Sequence, residues 1–547
     1  MPRKRLSMLL FISIFLIAIV LFNYGKDDRL LPKLDERINN LDLLKRKPEL
    51  GKYSVVADNP TAVEIGMAVL NNGGNAVDAA VAVSFALSVL EPYASGIGGG
   101  GLMLVHPTNQ REPILYDYRE TAPLHRTSKN IGVPGFVKGI EMAHNDFGVV
   151  PFEDLIEPSI HLAEKGIEVS SILHTTLKNA AYRMPVQQLE HFYPNSKPIK
   201  TGELLVQSEL ATTLKQIKEQ HSSVFYTGNL SEDIVNSSKI TRKDLRGYKV
   251  RVSAPVKGDF SGYTVYAPPP PAGGVMLIQT LQMAEILNIS QTRGNLPDYA
   301  TLLGEIIKRS YKNRLNSIGD PEFNSIPIKK LTSKDFSSKL AHEVEYTNKN
   351  STTPLDSKAD MEEQGNTTHF VIVDSEGMMV STTNTLSNFF GSGHYVNGFF
   401  LNNQLDNFSL RKDSPNSYEA GKRPHSYISP LILAKDDKPI IGIGSSGGRR
   451  IPSTIANILI RICIFNEDPQ DAVSSARFFS EFNKNMISLE NKQDTNVENE
   501  LQEQGYILDY SHSPSYFGAS HVLIINYDKK EIIGAADSRR GGKWAIR

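Results

Sequence analysis

Residues 365–385 read GNTTHFVIVDSEGMMVSTTNT. Two runs rich in β-branched residues flank Ser375-Glu376-Gly377, three turn residues with the glycine last, a spacing that predicts a hairpin with a bulge. With the turn centred on Glu376, residues equally far from it face one another, so Thr367 is expected opposite Thr385. Upstream, residues 345–366 (EYTNKNSTTPLDSKADMEEQGN) carry too few apolar side chains to order themselves by burial. A flexible tether is therefore predicted to run straight into a core strand.

That juxtaposition has a chemical meaning. A threonine hydroxyl is a poor nucleophile near neutral pH unless a base lies within hydrogen-bond reach. No G-x-S-x-G elbow is present, and His369 stands two residues along the same strand, where it cannot easily turn back. The α-amine of an N-terminal residue, with an ordinary pKa of about 7.7–8.0, can serve as base. Attack of the Thr367 hydroxyl on the Asn366 carbonyl and hydrolysis of the resulting ester would free that amine and divide the chain into 1–366 and 367–547. The plain alternative is a loop ahead of an edge strand, with no chemistry.

The chain of 547 residues, 40% hydrophobic and 22% charged, has the composition of a globular protein. Its 59 basic and 60 acidic side chains leave a formal charge of −1, with no electrostatic footprint for nucleic acid. At the N-terminus, Met-Pro-Arg-Lys-Arg precedes LSMLLFISIFLIAIVLF (Leu6–Phe22), a positive flank before an apolar run. Residues 1–25 are accordingly expected to be an export signal or an uncleaved membrane anchor. With no A-x-A cleavage site and no cysteine to lipidate, an anchor is favoured, placing the protein on the extracellular face of the cell membrane, or secreted if the signal is removed. Residues 26–52 read as a polar stalk, with order expected from Tyr53. Cys463 is the only cysteine, which excludes an intrachain disulfide and any multi-cysteine metal site. In IANILIRICIF it reads as a small buried hydrophobe.

Two further segments predict helices: Asn75 to Leu90, apolar on nearly every face and so expected between layers, and Val275 to Leu287 after the rigid APPPPAGG loop. The glycine run SGIGGGG (Ser95 to Gly101) lacks the Lys-Ser/Thr of a phosphate loop and predicts close packing of backbone on backbone.

From about Tyr53 onward the chain resembles the γ-glutamyltranspeptidases, a family of N-terminal nucleophile enzymes. The resemblance is carried by NGGNAVDAAVA from Asn72, SGIGGGG, DYRETAP from Asp117, GVPGFVKG from Gly132, GNTTHF, FFLNNQLDNF from Phe399, GKRPHSYISP from Gly421 and GIGSSGGRRIP from Gly442. It implies an α+β fold, an αββα sandwich of two stacked antiparallel sheets between helical layers, formed by two autocleaved fragments. These would be a large subunit, 53–366, and a small catalytic subunit, 367–547. It implies Thr367 as nucleophile after a cut at Asn366-Thr367, Thr385 as its hydrogen-bonding partner, and Gly447-Gly448 as the oxyanion hole. It also implies Arg119 as the clamp on a substrate α-carboxylate and Thr383 as a substrate-side residue, with no metal or organic cofactor.

The departures bear on substrate. Where glutathione-cleaving members hold the substrate ammonium with an aspartate and an asparagine, this chain has Asn407 and Ser387, and the family's serine pair reads Ser426-Tyr427. The segment from Phe408 to Arg423 is shorter than in members that close a lid, which implies an open cleft. A carboxylate facing an already amidated nitrogen would be buried without a partner, so Asn407 suits a γ-glutamyl residue inside a polymer. Within the family, STTNTLSNFFGSG, GFFLNNQL and ADSRRGGKW are similar to the capsule depolymerases of Gram-positive bacteria that process poly-γ-glutamate. That resemblance implies Arg540, or its neighbour Arg539, as a second contact for the polyanion, and water or a cell-wall amine as acceptor. Two other readings are compatible with the sequence: a glutathione or glutamine γ-glutamyltransferase, and a non-catalytic capsule-binding scaffold.

Overall fold

The hairpin forms in the expected register. In a computed structural model of the chain, which describes residues 50–108, 112–127, 129–344, 352–361 and 365–547, strands Gly365–Val373 and Met379–Asn388 pair antiparallel with Thr367 opposite Thr385. Asp374 closes the turn: its carboxylate accepts from the Glu376 and Met378 amides, and Gly377 takes the positive φ of 91° that the reversal requires. The expected bulge comes at the far end of the hairpin, between Thr385 and Ser387, and not at the turn.

The hairpin is the centre of a seven-stranded antiparallel sheet. In chain order its strands are β1 (Ser54–Ala57), β2 (Gly100–His106), β3 (Ile114–Asp117), β4 (Arg251–Ser253), then, after two strands of the second sheet, β7 (Gly365–Val373), β8 (Met379–Asn388) and, at the C-terminus, β13 (Lys543–Ile546). The spatial order is β13-β1-β7-β8-β2-β3-β4. The second sheet has six strands, β5 (Val256–Phe260), β6 (Tyr263–Ala267), β9 (Leu431–Lys435), β10 (Lys438–Ser445), β11 (Ser520–Asn526) and β12 (Glu531–Ala536), ordered β12-β11-β10-β9-β6-β5. Every ladder within these two sheets is antiparallel.

The period of two along each strand assigns the layers. Phe370 and Ile372 of β7 pack outward with helix α1 (Pro60–Asn71) and helix α2 (Ala76–Leu90), while Val371 and Val373 pack inward against the second sheet. All fifteen residues of α2 are buried, as its all-round apolar pattern predicts, and Asn75 and Asp78 close its N-terminus in a capping box. Helices α3 (Gly274–Ile286), α4 (Leu296–Ser317) and α5 (Ile451–Cys463) cover the outer face of the second sheet. The result is the αββα sandwich. Cys463 ends α5 partly buried, its thiol pushed up to about 12 by burial.

The glycine run serves as predicted. A Cβ on Gly99 would lie 2.2 Å from the Thr385 carbonyl oxygen, and one on Gly98 2.2 Å from that of Phe400, so only glycine lets the backbone entering β2 pass this close to β8 and to Phe400.

Three expectations are corrected. The anchor at residues 1–25 and the stalk to residue 49 lie outside the described residues, and no helix among the described residues is long and apolar enough to cross a membrane. The described residues therefore give the anchored extracellular placement no support. The fold includes residues ahead of Tyr53: Leu50, the first described residue, is buried, with its amide on the Ser375 carbonyl at 3.1 Å. Within the expected tether, 345–351 and 362–364 lie outside the described residues, but 352–361 is folded. Polar contacts order it where apolar burial could not: Asp356 accepts from Ser409 Oγ and Arg411 Nε at 2.8 Å each, and Tyr427 donates its hydroxyl to Asp360 at 2.6 Å.

Candidate active site

Seven of the predicted site residues converge on one cleft with about 480 Å³ of open space, mouth included. Thr367 and Thr385 contribute the ends of the hairpin strands, Ser387 and Asn407 one wall, Ser426 and Tyr427 another, and Gly448 the turn from the second sheet. The first residue of interest on β7, Thr367, is 3% exposed, and its side chain lies on the face of the strand that looks toward the second sheet.

Alternation places His369 on the same face, one step deeper. Its Nδ1 is 2.9 Å from Thr383 Oγ1, and burial holds the imidazole well below its ordinary pKa. A Cβ on Gly444 would lie 2.3 Å from His369 Cε1, so the ring is locked against β10 and cannot swing to Thr367. The same contact corrects the expectation for Thr383: it is fully buried with His369 and does not line the cleft.

The bulge after Thr385 turns the chain so that Ser387, at φ 79°, pairs with Asn366, and the Ser387 amide donates to Thr385 Oγ1 at 2.8 Å. Asn407 Nδ2 donates to Ser387 Oγ at 3.0 Å and to the Gln404 carbonyl at 3.2 Å. Asn407 and Ser387 thus touch each other on the cleft wall. No described residue from 408 to 423 lines the cleft; that segment is held by the Tyr418 hydroxyl on the Pro123 carbonyl at 2.7 Å and by the Asn416 side-chain amide on the Asn407 carbonyl at 2.8 Å.

Gly447 and Gly448 form the turn between β10 and α5, at φ 120° and 60°. Ser446 pins the turn: its amide donates to the Ala519 carbonyl, and its Oγ accepts from the Ala519 amide, each at 2.8 Å. A Cβ on Gly447 would stand 3.1 Å from Gly518 Cα. The helix that follows opens with N–H groups that have no intrahelical acceptor, and such groups can stabilise developing negative charge on an oxygen.

Arg119 does not line the cleft. It is 1% exposed, and its Nε and Nη2 hold the Asp117 carboxylate at 3.0 and 2.6 Å, leaving Nη1 to reach the Pro424 carbonyl at 3.5 Å. Burial alone would raise the Asp117 carboxyl, but Arg119 and Arg423 hold it well below the usual carboxylate range. Nor is Arg540 presented to a polymer: it is 6% exposed, with Nη1 donating to the Thr367 carbonyl at 3.2 Å. The reason is topological. Pairing of β1 with β7 stops at Ala57 and Phe370, so the Thr367 carbonyl lies past the last rung and the guanidinium covers it. Arg539 is engaged with Glu490 at 2.6 Å and Asp537 at 3.0 Å.

Sequence reasoning missed two cleft residues with charge. Arg449 pairs with Glu481, and Arg450 lies 3.8 Å over the Tyr516 ring. The available signal was their position directly after the paired glycines. Among the described residues lining the cleft there is no aspartate or glutamate.

Comparison with known proteins agrees with this architecture. The gamma-glutamyltranspeptidase family profile matches residues 62–546. The chain is 42% identical over 496 residues to the capsule biosynthesis protein CapD proenzyme of Bacillus anthracis, covering 90% of each chain. It is 32% identical over 542 residues to the glutathione hydrolase proenzyme of Bacillus subtilis, covering 91% of this chain and 92% of that one. The cephalosporin acylase of Bacillus halodurans superposes with a TM-score of 0.80 at 24% identity, over 90% of this chain and 96% of that chain, a likeness of fold.

Proposed function

The chain belongs to the gamma-glutamyltranspeptidase family and is a γ-glutamyl transferase or hydrolase, and from that premise we propose that it matures by cutting itself before Thr367 and acts on poly-γ-glutamate. In this reading the Thr367 hydroxyl attacks the Asn366 carbonyl, the acyl group shifts from nitrogen to oxygen so that the Thr367 amine is freed as the ester forms, and water then cleaves the ester to leave the Asn366 carboxylate and restore the hydroxyl. That amine then takes the hydroxyl proton as the oxygen attacks a γ-glutamyl amide. The oxyanion is held by backbone N–H groups at Gly447 and Gly448, and the leaving amine takes the proton. The γ-glutamyl ester so formed passes to water or to an amine acceptor such as a cell-wall amine. The proenzyme names of the two relatives support maturation by cleavage, and the capsule role named for one of them supports the polymer.

The observation that carries the substrate assignment is the cleft wall itself. Asn407 donates to Ser387 at the position where the family resemblance puts a carboxylate for a free substrate ammonium, and the same cleft is lined by Arg449 and Arg450. A polymer repeat has carboxylates and amidated nitrogens, which match neutral amides and guanidinium groups. Mass spectrometry of purified protein tests maturation: wild type is expected as two fragments beginning at residues 1 and 367 or as their trimmed forms, and Thr367→Ala as one uncut, inactive chain. Turnover of poly-γ-glutamate is expected to exceed that of a γ-glutamyl anilide with a free amine; the reverse order would favour a glutathione hydrolase.

A further inference from the structure

Behind β7, on the side away from the cleft, lies a buried carboxyl that this mechanism does not use. Strand alternation points Thr368 outward, opposite to Thr367, and its Oγ1 donates to Glu91 Oε2. Glu91 is the residue that ends α2, its amide on the Leu87 carbonyl at 2.8 Å, and it is 2% exposed. Three charged or titratable groups face it, Asp58 just past β1, Tyr93 beyond the end of α2 and Arg540 ahead of β13, together with the hydroxyl donor of Thr368 on β7. Asp58 is itself tied to His521 of β11 at 2.8 Å, with both side chains fully buried. Arg540 therefore spans the cluster and the Thr367 carbonyl.

We propose that Glu91 is a positioning residue for the reaction: with Arg540 it holds the first residues of β7 from behind, and its charge sets how readily the Thr367 amine gives up its proton. The inference rests on the reading of Thr367 as a self-activated nucleophile. Burial pushes the Glu91 carboxyl up to about 8, Asp58 adding to the rise while Thr368 and Arg540 oppose it. Glu91 is bonded to the residue next to Thr367, and an N-terminal amine ordinarily titrates at about 7.7–8.0, so the two neighbouring groups lose protons in one window and influence each other. An ionised Glu91 stabilises the ammonium form of the amine and delays its conversion to the free base; a neutral Glu91 does not.

The test is the pH profile of kcat/KM for the matured enzyme, in wild type, Glu91→Gln and Glu91→Asp. Glutamine keeps an acceptor for Thr368 but cannot ionise, so the acid limb is expected to move to lower pH by about half a unit or more. The aspartate variant, which can ionise, is expected to keep the limb near its wild-type position while lowering kcat through its shorter reach. Thr368→Val provides a second route if glutamine at 91 prevents folding. Loss of the hydroxyl donor keeps Glu91 neutral to higher pH, so the same acidward movement is expected. Profiles that superimpose on wild type in the folded Glu91→Gln or Thr368→Val protein would overturn the proposal. Thr367→Ala, run in parallel, separates the two readings: if it remains cut and active, the nucleophile assignment fails whatever Glu91 does.

Discussion

At Asn407 a single atom decides whether that wall of the cleft carries a charge. Its Nδ2 already donates to Ser387 Oγ and to the Gln404 carbonyl, so the wall offers no full negative charge to an ammonium. Replacing it with aspartate would supply that charge within the same outline. Hydrogen bonds to charged groups contribute about 1.5–3 kcal/mol, so Asn407→Asp is expected to raise kcat/KM for a γ-glutamyl anilide with a free amine by about 10- to 100-fold. The same substitution should lower turnover of poly-γ-glutamate, whose amidated nitrogens leave the new carboxylate unpaired. Steady-state kinetics on the two substrates measure both changes, and an unchanged ratio would remove Asn407 from substrate selection.

Among the elements, the turn of the β7–β8 hairpin does double duty. Asp374 accepts from two turn amides with one oxygen, and with the other from Ala76, the first residue of α2, at 3.1 Å. One side chain thus fixes both the hairpin register and the seat of the helix that ends at Glu91. Burial raises its carboxyl from the ordinary 3.8 up to about 6, while these amides oppose the rise. Because the folded-state pKa is raised, the folded protein binds more protons than the unfolded chain between those values. The group's contribution to stability is full below about pH 4 and is lost as pH rises through about 6. Asn cannot titrate, so the Tm of Asp374→Asn relative to wild type is expected to be lowest at about pH 4 and to recover toward about pH 7. Thermal melts across that range check the sign.

Over the whole molecule, the sandwich joins parts of the chain far apart in sequence. β1 lies between β13 from the C-terminus and β7, so residues 54–57 link both ends of the fragment that would begin at Thr367. A cut before Thr367 would therefore leave the two pieces in one sheet. The wall beside that sheet is stapled by a buried charge cluster in which Asp117 faces Arg119 at 2.6 Å and Arg423 at 3.4 Å. Removing the carboxylate strands two buried guanidinium groups, so Asp117→Asn is expected to lower stability by about 3–5 kcal/mol, read as a shift in the chemical denaturation midpoint. Much of this architecture is legible in the primary structure: the hairpin register with Thr367 opposite Thr385, the all-round apolar helix α2 and the close-packing glycines rest on local periods and turn chemistry, whereas Ser387, Asn407, Ser426, Tyr427 and Gly448, which join the two threonines in one cleft, were marked only by the family resemblance. What local pattern cannot reveal is where long polar side chains end up, because their reach exceeds the strand spacing and their partners come from remote elements. That is why Arg119 turned out to be held by Asp117 and Arg540 by the Thr367 carbonyl, and why Asp360 found Tyr427. It is also why Glu91, which in sequence only ends a helix, proved to stand behind the strand that carries Thr367: burial and long-range electrostatics arise only once the sheets have stacked.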